Sequence, residues 1–392
     1  MRDGWHIQRF GEICALKKGK KPKLINTEEI NSKPYLVAKY LRGAEPTDYA
    51  FVPDKDSITV TADEIIIICD GSNSGETFIG FDGVLSSTMA KIVHGNNIEN
   101  KFLIYFLELM FEKFNSSKTG SAIPHLDLNA LRNQELPLPP LPEQRRIVAI
   151  LDEAFEGIAT AKANAEKNLQ NAREVFESHL NAVFSQRGEG WMEKGLDEVC
   201  LKIQDGAHES PQVLFDTPGN GRFLYITSKN IKDGYLDLNK VAYVNSDFHN
   251  RIYSRCQPDV GDILLTKDGS NTGNVSINSI AEPFSLLSSV CLIKTNTNFL
   301  LQKFLYFYLR SPIGINKITG SMTGTAIKRI ILKTIKKSTI TIPSLQAQMA
   351  IVSEIDKLNN YTQHLESLYK QKITALDELK QSLLHQAFNG DL

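Results

Sequence analysis

Leu138-Pro139-Pro140-Leu141-Pro142-Glu143-Gln144 opens a long run that ends at Phe184, and the run is written twice. It returns 204 positions later, without a gap, as Ile342-Pro343-Ser344-Leu345 through Phe388. Pro139 falls on Pro343, Gln144 on Gln348, Ile147-Val148 on Ile351-Val352, Asp152 on Asp356, and Leu180 on Leu384. Leu151, Ala154, Ile158, Ala161, Ala165, Ala172 and Val175 keep a three-four spacing in the first copy. Ile355, Leu358, Leu365, Tyr369, Leu376, Leu379 and Leu383 keep it in the second. That period, with only Gly157 as an interruption, predicts two helices with coiled-coil seams. Pro142 and Ser344 mark their starts, and Gly188 and Gly390 their ends. At 1.5 Å per residue each rod spans roughly 60 Å. One seam is alanine-rich and the other leucine-rich. Small side chains opposite large ones fill an interface better than either seam against itself, so the helices are expected to pair within one chain; the pairing is antiparallel if the globular halves sit at opposite ends.

The surrounding sequence is duplicated as well, with a shift that drifts. Trp5 through Cys14 matches Trp191 through Cys200, a shift of 186. Tyr35, Lys39 and Arg42 match Tyr225, Lys229 and Lys232, a shift of 190. Asp70-Gly71-Ser72-Asn73-Ser74-Gly75 matches Asp268-Gly269-Ser270-Asn271-Thr272-Gly273, a shift of 198. Phe102 matches Phe304 at 202, and Gly120-Ser121-Ala122-Ile123 matches Gly324-Thr325-Ala326-Ile327 at 204. Insertions therefore fall in the globular parts and stop at the rods, as expected when loops vary on a repeated scaffold. The fold class that follows is α+β: two similar mixed halves and two long antiparallel helices in a pseudo-two-fold repeat. The expected domains are residues 1–142, a proximal helix 143–187, residues 188–345 and a distal helix 346–392. Ile65 to Ile68 and Ile263 to Leu265 look like buried strands, and Lys101 to Phe114 and Asn298 to Leu309 like apolar helices.

Composition narrows the function. A chain of 392 residues needs more than one core. Its longest pure aliphatic run, Ile65 to Ile68, is far too short to span a bilayer, and no secretory leader is evident. Five cysteines without a CxxC pair point to a reduced, cytoplasmic setting and away from zinc; Cys14 and Cys200 occupy matching positions and are expected to pack in the core. Net charge is −1, so bulk charge does not advertise nucleic acid. Only residues 188–345 are basic, with 18 Lys and Arg against 14 Asp and Glu. Any DNA contact must then rest on local clusters. Lys17, Lys18, Lys20, Lys21 and Lys23 put five lysines in seven residues, and Lys328 and Arg329 begin a second cluster. Asn73 and Asn271, in the Asp-Gly-Ser-Asn turns, are candidates for a backbone or base edge. His208 lacks neighbouring ligands at metal spacing and is a polar loop candidate.

Catalytic signatures are missing. There is no Asn/Asp-Pro-Pro-Tyr/Phe sequence to hold a flipped adenine, no Walker lysine, no HExxH and no serine elbow. A duplicated, non-catalytic pair of domains on a rigid spacer has the character of a ruler. The competing reading is a coiled-coil scaffold that never touches DNA.

The run Gly120-Ser121-Ala122-Ile123-Pro124 followed by Leu136 through Val148 resembles the junction between target recognition domain and spacer in type I restriction-modification specificity subunits. So do Ile203-Gln204-Asp205-Gly206-Ala207-His208, Ser228-Lys229-Asn230-Ile231-Lys232-Asp233-Gly234 and the terminal Leu384-His385-Gln386-Ala387-Phe388-Asn389-Gly390. The resemblance covers essentially the whole chain. It departs where Ser344, Gln346 and Ala347 replace Pro140, Pro142 and Glu143. It implies two target recognition domains, each reading half of a bipartite site in double-stranded DNA, and helices that set the gap and dock two methyltransferase subunits. Restriction-translocase subunits would join that core. S-adenosylmethionine, ATP and Mg would sit on those partners, with no cofactor, metal or membrane for this chain. The residues expected at DNA are Lys17, Lys18, Lys20, Lys21, Lys39, Arg42, Asn73, Ser121, His208, Lys229, Asn230, Lys232, Asn271, Thr325, Lys328 and Arg329. Those expected at partners are Glu143, Gln144, Arg145 and Gln348.

Overall fold

A computed structural model of the chain describes residues 4–116, 124–186, 188–320 and 329–392. The two rods are there as single helices of 45 residues each, a proximal helix Leu141–Ser185 and a distal helix Leu345–Asn389. The Ser344 hydroxyl accepts a bond from the Ala347 amide at the distal start, and Gly390 takes a positive φ of 84° just past its end. By contact, the chain divides into two units. Unit 1 is Met1–Glu166 with Gln371–Leu392, and unit 2 is Lys167–Lys370. Each long helix thus contributes its two ends to different units.

The repeat is explicit in topology. Unit 1 has an antiparallel sheet in the order Cys14–Lys18, Met89–His94, Ile65–Ile68, Thr77–Phe78. Unit 2 has Cys200–Asp205, Val290–Thr295, Ile263–Thr266, Val275–Ile277 in the same order. The uninterrupted aliphatic runs are explained by burial on both faces. Ile65 and Ile67 belong to one core and Ile66 and Ile68 to another, and Ile263 and Leu265 separate from Leu264 in the same way. A two-stranded ribbon also recurs: His6–Arg9 against Glu135–Leu138, and Met192–Gly195 against Thr339–Ile342. In a further sheet, Ser32–Leu36 pairs parallel with Gly83–Leu85, as Arg222–Ile226 does with Ser285–Leu286. Unit 2 adds the helix Ser246–Cys256, whose N-cap Asn245 accepts from the Phe248 amide. The expected apolar helices are Asn100–Ser116 in unit 1 and Gln302–Arg310 in unit 2. The latter stops where Ser311 caps a new helix, Pro312–Thr319, with proline at its first turn.

The long helices run antiparallel in both units. In unit 1 Arg146 donates to the Leu392 carbonyl at 2.6 Å and Lys162 reaches Asp377 at 2.6 Å. In unit 2 Arg173 meets Glu366 at 3.2 Å and His179 lies 3.6 Å from Glu354. These exposed pairs set register more than stability. The proximal seam is buried at Leu151, Ile158, Ala165 and Ala172, a strict heptad. One expected member of each seam lies outside it. Val175 is 53% exposed, because after Ala172 the buried stripe moves to Phe176, Leu180 and Phe184, where the helix meets the globular core. Leu379 is 46% exposed, and Thr362, which the apolar period passes over, is buried in the distal heptad with its hydroxyl donating to the Leu358 carbonyl.

Each globular core is closed by both long helices. In unit 1 the core takes Ile147, Val148 and Leu151 from the proximal helix start and Leu384, Ala387 and Phe388 from the distal end. In unit 2 it takes Val352 and Ile355 from the distal start and Phe176, Leu180 and Phe184 from the proximal end. The Phe388 ring packs on Phe102 at 4.9 Å and Phe106 at 5.3 Å, while Phe184 packs on Phe304 at 5.3 Å and Tyr308 at 5.5 Å. The contact is therefore duplicated residue for residue, but each phenylalanine seals the half from which its own repeat did not come. Cys14 is buried and Cys200 half-buried; all five cysteines are free, and burial pushes both of these thiols up to about 12.

Candidate nucleic-acid interface

The glutamine of the helix-opening motif, expected above at a partner, is a structural lock instead. Gln144 and Gln348 are fully buried. The Gln144 amide donates to the carbonyls of Pro139 (2.8 Å) and Asn97 (2.9 Å), and its oxygen accepts from the Glu99 amide at 2.8 Å. Gln348 repeats this with Pro343 (3.0 Å), Phe299 (2.8 Å) and the Leu301 amide (2.9 Å). Neither side chain can reach a partner; a neutral two-way hydrogen-bonding group is what ties the helix start to the preceding loop. Beside it, Asp152 accepts from Lys101 at 2.6 Å as Asp356 does from Lys303 at 2.6 Å. Glu143 and Arg145 remain on the surface, the first paired with Arg146 at 2.7 Å and the second 3.9 Å from Glu99.

In both units the polar side chains converge where the edge strand meets the Asp-Gly-Ser-Asn turn. Cys14–Lys18 runs into Gly19, and Cys200–Asp205 into Gly206. A Cβ on Gly19 would come 2.2 Å from the Ser86 carbonyl oxygen, and one on Gly206 2.2 Å from that of Leu286. Only glycine lets the backbone pass, and the match makes Lys18 and Asp205 structural equivalents. The turns are equivalent too: the Gly75 amide bonds Ile68 O at 2.8 Å and the Gly273 amide bonds Thr266 O at 2.9 Å.

In unit 1, Asp70 accepts from Lys18 at 3.0 Å and from His125 Nδ1 at 2.7 Å. Burial alone would raise the Asp70 carboxyl; the bonds from His125 and Lys18 outweigh it and hold the group below the usual carboxylate range. Next to it Arg42 pairs with Glu76, to which Asn73 donates at 3.5 Å. In unit 2, Asp268 accepts from Arg329 Nε at 2.6 Å and lies 3.3 Å from Lys267, whose ammonium is buried. Asp205 accepts from Arg255 at 2.7 Å and from His208 Nε2 at 3.1 Å. Burial pushes the Asp205 carboxyl up, but these partners and Lys267 bring it below its ordinary value. The two units therefore place opposite charges at the same strand position.

Lys17, Lys21, Lys39 and Lys229 are exposed, Lys20 reaches Asp56 at 3.2 Å, and Lys232 lies 3.8 Å from Asp237. Asn230 is corrected: it is 4% exposed and is consumed by the Thr227 amide (3.0 Å) and the carbonyls of Asp237 (3.2 Å) and Lys240 (3.4 Å), so it holds a loop and cannot reach a base. Asn271 donates to the Ser228 carbonyl at 3.3 Å. Ser121, Thr325 and Lys328 lie outside the described residues. His125, Lys267 and Arg255 were missed. His125 stands 204 positions before Arg329, the same shift as the rods, and that alignment was the available signal. Among the described residues no group of His, Cys, Asp and Glu is placed to hold a metal, and no helix is long and apolar enough to cross a membrane.

A family model described as the Type I restriction modification DNA specificity domain matches residues 2–170 and 188–375. The chain belongs to that family. It is thus a DNA specificity subunit of the type I restriction-modification kind, not itself the enzyme. Among its relatives, the Type I restriction enzyme MjaVIII specificity subunit of Methanocaldococcus jannaschii is 26% identical, over 100% of this chain and 93% of that protein. The EcoKI specificity subunit of Escherichia coli K12 is 23% identical over 100% and 89%. In fold, the specificity-family chain is similar to one solved in work on complex assembly and conformational transition of the type I R-M system. That likeness has a TM-score of 0.78 at 19% identity and covers 100% of this chain and 99% of the other. It is also similar to the HsdS subunit of Thermoanaerobacter tengcongensis, with a TM-score of 0.56 at 19% identity over 100% and 98%.

Lys20 pairs with Asp56 at the surface, their side chains 56% and 41% exposed. Such a pair is weak, so the ammonium can exchange Asp56 for a phosphate. Lys20→Ala is expected to weaken DNA binding equally for all sequences and to flatten the salt slope by about one unit. Binding isotherms over a salt series check this; altered sequence preference would place Lys20 at a base edge instead.

Proposed function

We propose that residues 1–142 and 188–345 are two target recognition domains, each reading one half of a bipartite site in double-stranded DNA. The paired helices set the unread gap and dock two methyltransferase subunits, and restriction-translocase subunits complete the assembly. S-adenosylmethionine, ATP and Mg are bound by those partners. The observation that carries this reading is the repeated sheet with a basic and acidic cluster rebuilt at the same turn in each unit. Two copies of one scaffold bearing different side chains at one place suit two different half-sites, because base edges are distinguished by their donor and acceptor pattern. A helix keeps a fixed rise per residue, which makes a rod a spacer of set length.

The test is a domain exchange. Replacing residues 188–337 with those of another family member is expected to change one half of the methylated site and leave the other half and the gap unchanged. Mapping methylated positions in DNA modified by the hybrid complex reads the result. Change in both halves would show that the domains do not read independently.

A further inference from the structure

The two Asp-Gly-Ser-Asn turns share a feature beyond their lysines. Asp70 forms an antiparallel bridge with His125, and Asp268 forms one with Arg329. Both aspartates are largely covered, their side chains 16% and 12% exposed, while His125 and Arg329 are 51% and 59% exposed. Each aspartate also holds a lysine from the strand side, Lys18 at 3.0 Å in unit 1 and Lys267 at 3.3 Å in unit 2. A covered carboxylate that fixes one nitrogen of an exposed cationic or amphoteric side chain orients the rest of that side chain. Orientation of this kind is what a reading group needs, since a loosely held one loses discrimination.

We propose that His125 and Arg329 are equivalent base-reading residues, one for each half-site, each held in pose by the aspartate of its turn. The assignment rests on the half-site reading above. The two present different chemistry. An ionised carboxylate only accepts, so Asp70 accepts a hydrogen bond from His125 Nδ1 and turns Nε2 outward; in the tautomer with its single proton on Nδ1, Nε2 is an acceptor. An acceptor in the major groove meets the amino group of adenine or cytosine. Asp268 takes Arg329 Nε at 2.6 Å and sits 3.5 Å from Nη2, which leaves the Nη1–Nη2 end of the guanidinium. That end is a double donor and suits the O6 and N7 acceptors of guanine.

The experiment selects randomised duplexes with the full chain in its methyltransferase complex, comparing wild type, His125→Ala, Arg329→Ala and Arg329→His. Arg329→Ala is expected to lose about 5- to 150-fold of discrimination at one base pair of the second half-site, with the first unchanged. His125→Ala should do the same at one position of the first half-site. Arg329→His, which puts a ring nitrogen in place of Nε toward Asp268, should shift the preferred base at that same position. Uniform weakening across all sequences, with a smaller salt slope, would make these residues phosphate contacts and overturn the proposal. An unchanged preference with unchanged affinity would make them structural pins and also overturn it. A wild-type complex that selects no bipartite sequence would instead overturn the half-site reading, and this assignment with it.

Discussion

Phe388→Ala is expected to destabilise unit 1 by about 3–5 kcal/mol, the usual cost of deleting a large buried aromatic side chain. Phe388 is 6% exposed and belongs to the core that contains Phe102, Phe106 and Leu103. Its removal leaves a cavity beside two rings that it contacts directly. The informative part is where the damage appears. Hydrogen exchange on the full chain should lose protection in Asn100–Ser116, the helix carrying those rings, although that helix belongs to the other sequence repeat. Phe184→Ala should do the same to Gln302–Arg310. Loss of protection confined to the end of the mutated helix would mean that the distal and proximal ends do not close these cores.

The second large effect is at the buried glutamines. Gln144→Ala leaves the Pro139 and Asn97 carbonyls and the Glu99 amide without their partner. A buried polar group stripped of its bond costs about 1–3 kcal/mol, and water can reach some of this loop, so a total of about 2–4 kcal/mol is expected. Denaturant unfolding measures it. Gln144→Glu should not rescue, because a carboxylate accepts and the two carbonyls need donors. The equivalent change at Gln348 should weaken unit 2 by a similar amount. If either alanine variant instead kept full stability and lost only methyltransferase binding, the amide would be a docking group after all.

The rods were visible because a helical seam repeats every few residues and the two copies align without a gap. The buried strand Ile65–Ile68 was visible because burial on both faces leaves no polar residue in the run. The motif Pro-Pro-Leu-Pro-Glu-Gln is recognisable, but its glutamine faces inward and not a partner. A glutamine looks the same in sequence whether it faces a partner or three backbone groups of its own chain. Asn230 misled for the same reason. Val175 and Leu379 fit the period yet are exposed, since a helix that passes from a two-stranded seam onto a globular core changes the face it buries.

The sequence alone determined the duplication, the helical character of the rods, the α+β halves and the family. All of these depend on periods and motifs short enough to be seen in consecutive residues. Tertiary structure alone decided that the C-terminal end of each long helix seals the core of the half opposite to its own repeat. It also decided that Asp70 and Asp268 gather their lysines with His125 and Arg329, from positions between 1 and 61 residues away. Such contacts depend on how strands end and loops return. Their physical basis is the packing of many side chains at once, which leaves no period in the chain.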